Sequence, residues 1–175
     1  GTFARYAAQL IDRLYTEVGG GTAAFDLLDH TLTWLCDYED SDLVVRFYEQ
    51  HLLGLAGFRP ELFRCVGRHT NQVGLQVGQR ENGRRPFGFA PDRGGALCHQ
   101  CYEVRKQERD VLPMSPNALR LLQACQRSSF TSLTMRPISA TLHREMERLM
   151  HRYVTYQLEQ DVKAAAFLHQ IRRGY

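Results

Sequence analysis

Apolar residues recur at helical spacing from the start of the chain. Phe3, Ala7, Leu10, Ile11, Leu14 and Val18 form one stripe, which ends at the glycine run 19–21. A second helix is predicted from about Thr22 to Asp37, with Phe25, Leu28, Leu32 and Leu35 on one face. A third begins at "EDSD", where acidic side chains complement the positive end of the helix dipole. Val44, Phe47, Tyr48, His51, Leu52 and Leu55 make its apolar stripe, and Gly57 is placed to end it in a left-handed cap. From Phe58 to about Leu112 the helical period disappears. Gly74, Gly78, Gly83, Gly88, Gly94 and Gly95 interrupt short alternating pieces such as "VGLQVGQ" and "RPFGFA", which read as short strands and turns. Helices resume at "SPNALRLLQAC", with Ser115 as N-cap and Pro116 at the first helical position. Ser139 opens a long helix whose stripe is Leu142, Met146, Leu149, Tyr153 and Tyr156, and Asp161 begins a last short one. The predicted fold is mainly α: one domain over 1–175, a helical bundle with a glycine-rich, zinc-ribbon-like insertion at 58–112.

Such an insertion has little core of its own and needs a staple, which a metal can supply. "GGALCHQC", residues 94–101, carries Cys98 and Cys101, half of a tetrahedral zinc site. The other cysteine of the insertion is Cys65, in "ELFRCVGRH". A four-cysteine knuckle would place a second cysteine at 68, which is Arg68; His69 follows and gives Cys-x-x-x-His. The candidate ligand set is therefore Cys65, His69, Cys98 and Cys101, holding a structural zinc with no open position for water. The alternative is that Cys98 and Cys101 are ordinary thiols in a packed insertion. His99 is read as diverging from its flanking cysteines. Cys36 and Cys125 lie beside apolar neighbours in helical patterns and are read as small core residues.

The 175 residues suffice for one well-formed core. Five cysteines, an odd number without a secretory signal, fit a reducing cytoplasm better than a disulfide framework. No apolar run approaches a membrane span. The opening residues "GTFARYAAQL" read as a helix interior, which points to a fragment with a preceding domain. The net charge of +3 hides an asymmetry. Residues 1–58 carry three Arg against nine Asp plus Glu, a balance of −6, whereas 59–175 carry seventeen Arg and two Lys against ten acids, a balance of +9. Arg144, Arg148 and Arg152 fall opposite the apolar stripe of the long helix, each one turn from the last. They read either as a solvated face or as a phosphate-tracking row. Arg80, Arg84 and Arg85 on the insertion are a second candidate patch. His143, Glu147 and His151 share one flank of the same helix but lack the metalloprotease spacing and are read as facing water. There is no Ser elbow, P-loop or dinucleotide fingerprint, and nothing supports an enzyme.

Several stretches resemble the DNA repair protein RecO family. "FYEQHLLGLAGFRPELFRC" is similar to that family's segment before its zinc knuckle, and "FGFAPDRGGALCHQC" to its aromatic strand, Gly-Gly turn and second Cys-x-x-Cys. "LPMSPNALRLLQAC" resembles the helix that follows, "YVTYQLEQDVKAAAFLHQI" the closing segment, and "YAAQLIDRLYTE" with "AFDLLDHTLTWL" the opening helices. The resemblance is collinear over nearly the whole chain and corresponds to the family's C-terminal helical and zinc-knuckle part, without its N-terminal OB barrel. It departs from the pattern at Arg68, which stands where the family has its second cysteine, and in the long loop from Cys65 to Cys98. The resemblance implies a cytoplasmic recombination mediator that binds and anneals single- and double-stranded DNA. It also implies two partners: the acidic tail of single-stranded DNA-binding protein, and RecR. A tail of that kind needs an apolar pocket with an arginine at its rim, for which Arg46 is the candidate. Two alternatives stand beside this reading: an interaction module with a structural zinc that never touches DNA, and a redox-active or metal-dependent enzyme centred on Cys98 and Cys101.

Overall fold

The computed structural model describes residues 2–14, 21–67 and 85–173. Among them are α1 (Thr2–Leu14), α2 (Gly21–Asp37), α3 (Ser41–Ala56), β1 (Phe87–Ala90), β2 (Gly95–Leu97), α4 (His99–Arg105), β3 (Leu112–Met114), α5 (Pro116–Arg127), α6 (Phe130–Leu133) and α7 (Ala140–Arg173). The mainly α class read from the periodicity is the class observed. The predicted strand in "VGLQVGQ" lies outside the described residues.

α3 is the central helix, packed against α2, α5 and α7. Val44, Tyr48 and Leu52 are fully buried, as their spacing predicts, and Leu43 and Leu53 join them from the adjoining positions. Burying each such side chain contributes about 1.5–3 kcal/mol. The Leu43 amide donates to Asp40 Oδ1 at 3.0 Å, capping the helix start. Gly57 ends it at φ 84°, a left-handed conformation that glycine adopts without strain. Leu55, expected in the buried stripe, is 48% exposed.

α2 is rotated relative to the expected face. Phe25 and Leu32 are exposed, and Ala24 and Thr31 are fully buried instead. Thr31 tolerates burial because its hydroxyl donates to the Leu27 carbonyl at 2.7 Å. Trp34 stacks on Phe130 of α6 with ring centroids 4.6 Å apart and meets Phe47 of α3 edge-on at 5.3 Å. These rings fix the azimuth of α2 more strongly than its aliphatic residues do. Cys36, expected in the core, is exposed as a result. Cys125 is buried as expected, and burial pushes its thiol up to about 12, so it stays protonated and inert.

Asp161 does not start a separate helix. α7 runs unbroken for 34 residues, about 50 Å at the α-helical rise, because no Gly or Pro interrupts it. Ser139 caps it, accepting from the Leu142 amide at 3.2 Å. Met146, Leu149 and Tyr153 are buried in the main core, whereas Val162 and Phe167, farther along, are each 62% exposed. No helix among the described residues is long and apolar enough to cross a membrane.

The insertion forms a three-stranded antiparallel sheet, ordered β2-β1-β3, with Gly88 opposite both Leu97 and Pro113. It also contains a helix, α4, that the glycine-rich pattern did not predict. The two glycines of the turn serve different ends. Gly94 sits at φ 86°, and Gly95 lets Glu61 come against the β2 backbone, where a Cβ would run into the Glu61 carbonyl. The Glu61 amide donates to the Gly94 carbonyl, and the Ala96 amide donates to the Glu61 carbonyl, both at 2.8 Å.

Candidate metal centre

Three of the four residues proposed as ligands from sequence can be located, and they converge. The Sγ atoms of Cys65, Cys98 and Cys101 all lie within 4.8 Å of one another, and all three residues are buried. Cys65 arrives on the segment pinned to β2, where the Val66 amide donates to the Ala96 carbonyl at 2.9 Å. Cys98 follows β2 directly as the N-cap of α4, and Cys101 lies one turn into that helix. The Cys-x-x-Cys spacing therefore works through a strand-to-helix turn that aims both sulfurs at the incoming segment.

The surroundings suit a sulfur-ligated cation. The Cys98 and Gly67 amides donate to Cys65 Sγ at 3.2 and 3.4 Å. Burial acts to raise the Cys98 thiol, but hydrogen bonds from the Cys101 amide, the Cys101 and Cys65 side chains and the Gln100 amide outweigh it, so the thiol lies below its ordinary value. Gly67 is a residue the sequence reading passed over. A Cβ there would come 2.7 Å from Cys101 Sγ, so the chain leaving Cys65 runs flush against the sulfurs. Its signal was the glycine two residues after a cysteine. Three buried, converging sulfurs match the donor set of a structural zinc site, with one position left for a fourth ligand. His69 lies outside the described residues, as do Arg80 and Arg84.

His99 is engaged elsewhere, with its Nδ1 2.9 Å from the Pro86 carbonyl and its ring stacked on Phe87 at 4.0 Å. A second group of potential ligands, Asp40, Asp42 and His143, gathers at the start of α3. There His143 Nε2 meets Asp40 Oδ2 at 3.0 Å, tying α7 to the cap of α3. His143 is thus a tertiary contact rather than a water-facing residue, while Glu147 and His151 are exposed.

Arg144, Arg148 and Arg152 are exposed on α7, and Arg152 reaches Asp110 at 3.5 Å. Arg85 is exposed just before β1. Arg46 differs from its expected rim position. It is 8% exposed, with Nε 2.6 Å from Glu49 Oε1, and Glu49 in turn accepts from the Tyr6 hydroxyl at 3.1 Å. Burial raises the Glu49 carboxyl, with Arg46 and Tyr6 opposing it. Arg46 therefore neutralises a buried carboxylate at the α1–α3 contact, a need the sequence pattern does not display.

The family model for the C-terminal part of recombination protein O matches residues 1–166. The chain belongs to the RecO family. A DNA repair protein RecO of Roseiflexus sp. (strain RS-1) is 36% identical over 170 residues, covering 97% of this chain and 56% of the relative. RecO proteins of Symbiobacterium thermophilum and Dehalococcoides mccartyi (strain CBDB1) are 31% and 27% identical, over 97% and 95% of this chain and 63% and 60% of their own lengths. The chain thus spans somewhat more than half the length of the RecO relatives it matches.

Proposed function

We propose that the chain is the helical, metal-stapled part of a recombination mediator that acts in DNA repair, binding DNA and protein partners rather than catalysing a reaction. Family membership is the observation that carries this reading; the segregation of charge supports it. The cysteine cluster takes a structural zinc, with His69 as fourth ligand, and holds the insertion on the bundle. DNA is contacted through phosphate by Arg144, Arg148 and Arg152, with Arg80, Arg84 and Arg85 as a second patch. The partners are single-stranded DNA-binding protein, through its acidic tail, and RecR.

The tail needs apolar surface beside a cation. Two adjoining clefts, of about 290 and 370 Å³, lie between α1 and α7; Leu10, Leu158 and Val162 give them apolar walls, and Arg13 and Lys163 stand there as cations beside the acids Asp12 and Glu159. This is a better-suited place than the buried Arg46.

Titration of this chain with single-stranded and duplex DNA over a range of salt tests the reading. Affinity should fall steeply with salt and depend little on base sequence. Absence of binding at low salt would leave the chain as a protein-interaction module with a structural zinc.

A further inference from the structure

Residues 58–67 form a rail rather than a loop. On one side Glu61 and Val66 are hydrogen-bonded to the backbone of Gly94 and Ala96, and Cys65 Sγ accepts from the Cys98 amide. On the other side two glutamines of α5 reach across: Gln123 Nε2 donates to the Leu62 carbonyl at 2.8 Å, and Gln126 Nε2 to the Pro60 carbonyl at 2.9 Å. Backbone polar groups of the rail are thereby engaged; Phe58, Arg59, Glu61 and Arg64 are its exposed side chains, and Phe63 is half-buried.

Four arginines gather along the rail and α5. Arg59 and Arg64 are exposed on the rail. The Arg59 guanidinium lies across α3 at Gly54, in space a Cβ would need. Arg127 sits with its guanidinium carbon 3.4 Å from the centroid of the Phe63 ring, a stack that fixes the planar fork while leaving its edges toward solvent. Arg120, exposed two turns earlier, shares its helical face. α5 contains no acidic residue. The one acid of the rail, Glu61, has Oε1 occupied by the Phe63 and Arg64 amides at 2.9 and 2.8 Å. Among the described residues none of these four arginines makes an ion pair, whereas Arg152 of the α7 row is paired with Asp110.

We propose that the rail and the exposed face of α5 form a phosphodiester-binding surface for a nucleic-acid strand, with Arg59, Arg64, Arg120 and Arg127 on phosphates and Phe63 as the platform that holds Arg127. The proposal rests on the reading that this chain contacts DNA, and it moves the principal contact away from the α7 row. Exposed guanidinium forks without a carboxylate partner among the described residues, carried on a rigid backbone, match phosphate oxygens. The clefts with apolar lining that an aromatic-ended acidic peptide would need lie instead between α1 and α7.

The test is a salt titration of a labelled oligothymidine against four forms of this chain. These are the wild type, Arg59→Gln/Arg64→Gln/Arg127→Gln, Arg144→Gln/Arg148→Gln/Arg152→Gln, and Phe63→Leu. The rail triple variant should lose about tenfold in affinity and flatten the log–log salt slope by about two, as expected for three phosphate contacts on a single strand. The α7 triple variant should lose less. Phe63→Leu, which keeps every charge, should weaken binding with the slope retained. Circular dichroism of each variant separates lost contacts from lost fold, and Phe63→Leu with Arg127→Gln alone serves if the triple variant unfolds. A slope lowered only by the α7 substitutions would overturn the proposal while keeping the DNA-binding reading. Rail substitutions that weaken poly-glutamate but leave oligothymidine binding unchanged would overturn it in favour of an acidic protein partner. No oligothymidine binding by the wild type would overturn both.

Discussion

The Cys98 amide donates to Cys65 Sγ at 3.2 Å, joining residues 33 apart in the chain. This contact draws the segment before the undescribed stretch onto the strand-to-helix turn after it, and the sulfur cluster forms where they meet. Replacing Cys65 or Cys98 with Ser should therefore affect residues 58–67 and 85–114 before it affects the bundle. Hydrogen exchange mapped along the chain should speed up there by tenfold or more, while α3 and the first half of α7 stay protected. Uniform loosening of the whole chain would show that the cluster is not a local staple.

Gly67 offers a sharper probe, because its substitution removes no ligand. In Gly67→Ala the added methyl would meet Cys101 Sγ, and the buried helix start of α4 has little room to yield. The expected cost is about 1–3 kcal/mol by denaturant unfolding, with weaker metal retention. Gly57→Ala is the control: nothing lies within 4 Å of its Cβ, so only the left-handed backbone is strained, at about 1 kcal/mol. Equal metal retention in the two variants would mean that the chain does not close on the sulfurs as described.

Glu145 of α7 holds the cap of α5 from outside. Its Oε1 accepts from the Ser115 amide at 2.7 Å and its Oε2 from the Ser115 hydroxyl at 2.8 Å, while the hydroxyl oxygen accepts from the Ala118 amide. Ser115→Ala removes the cap and one donor to a carboxylate, and should cost about 2 kcal/mol. A double-mutant cycle with Glu145→Ala should show coupling of about 1 kcal/mol. Additive effects would reduce this contact to an ordinary N-cap.

His51 gives the fold an acid limit. Burial holds its pKa below the ordinary 6.5, the Cys125 carbonyl opposes this, and the charge of Arg59 adds to it. Its folded pKa is depressed, so below pH 6.5 the unfolded chain binds a proton that the native chain does not. This contribution to stability is fully present above that pH and is lost as the pH falls toward the folded value. Stability measured in mildly acidic buffers should decline for the wild type and flatten in His51→Gln. The same decline in both proteins would assign it to other groups.

Legibility from the sequence followed the kind of force involved. Caps and turn glycines act locally, and Ser115, Ser139, Gly57 and Gly94 were read or placed where the structure has them. The convergence of Cys98 and Cys101 was legible because a Cys-x-x-Cys turn constrains where its two sulfurs can point. The face of α2 was not, since it is set by Trp34 stacking on Phe130 nearly a hundred residues away, and by a Thr31 that satisfies its own hydroxyl. Nor was the burial of Arg46, which answers to Glu49 and Tyr6 in three dimensions. The continuity of α7 was missed because Asp161 has the identity of a cap but lies inside a run of strong helix formers.

Elemental analysis of this chain, purified without chelators, bears most directly on the claim that the sulfur cluster is a zinc staple. About one zinc per chain is predicted, falling to a small fraction in Cys98→Ser. Zinc-free wild-type protein whose residues 58–67 and 85–114 remain as protected from exchange as the bundle would contradict it.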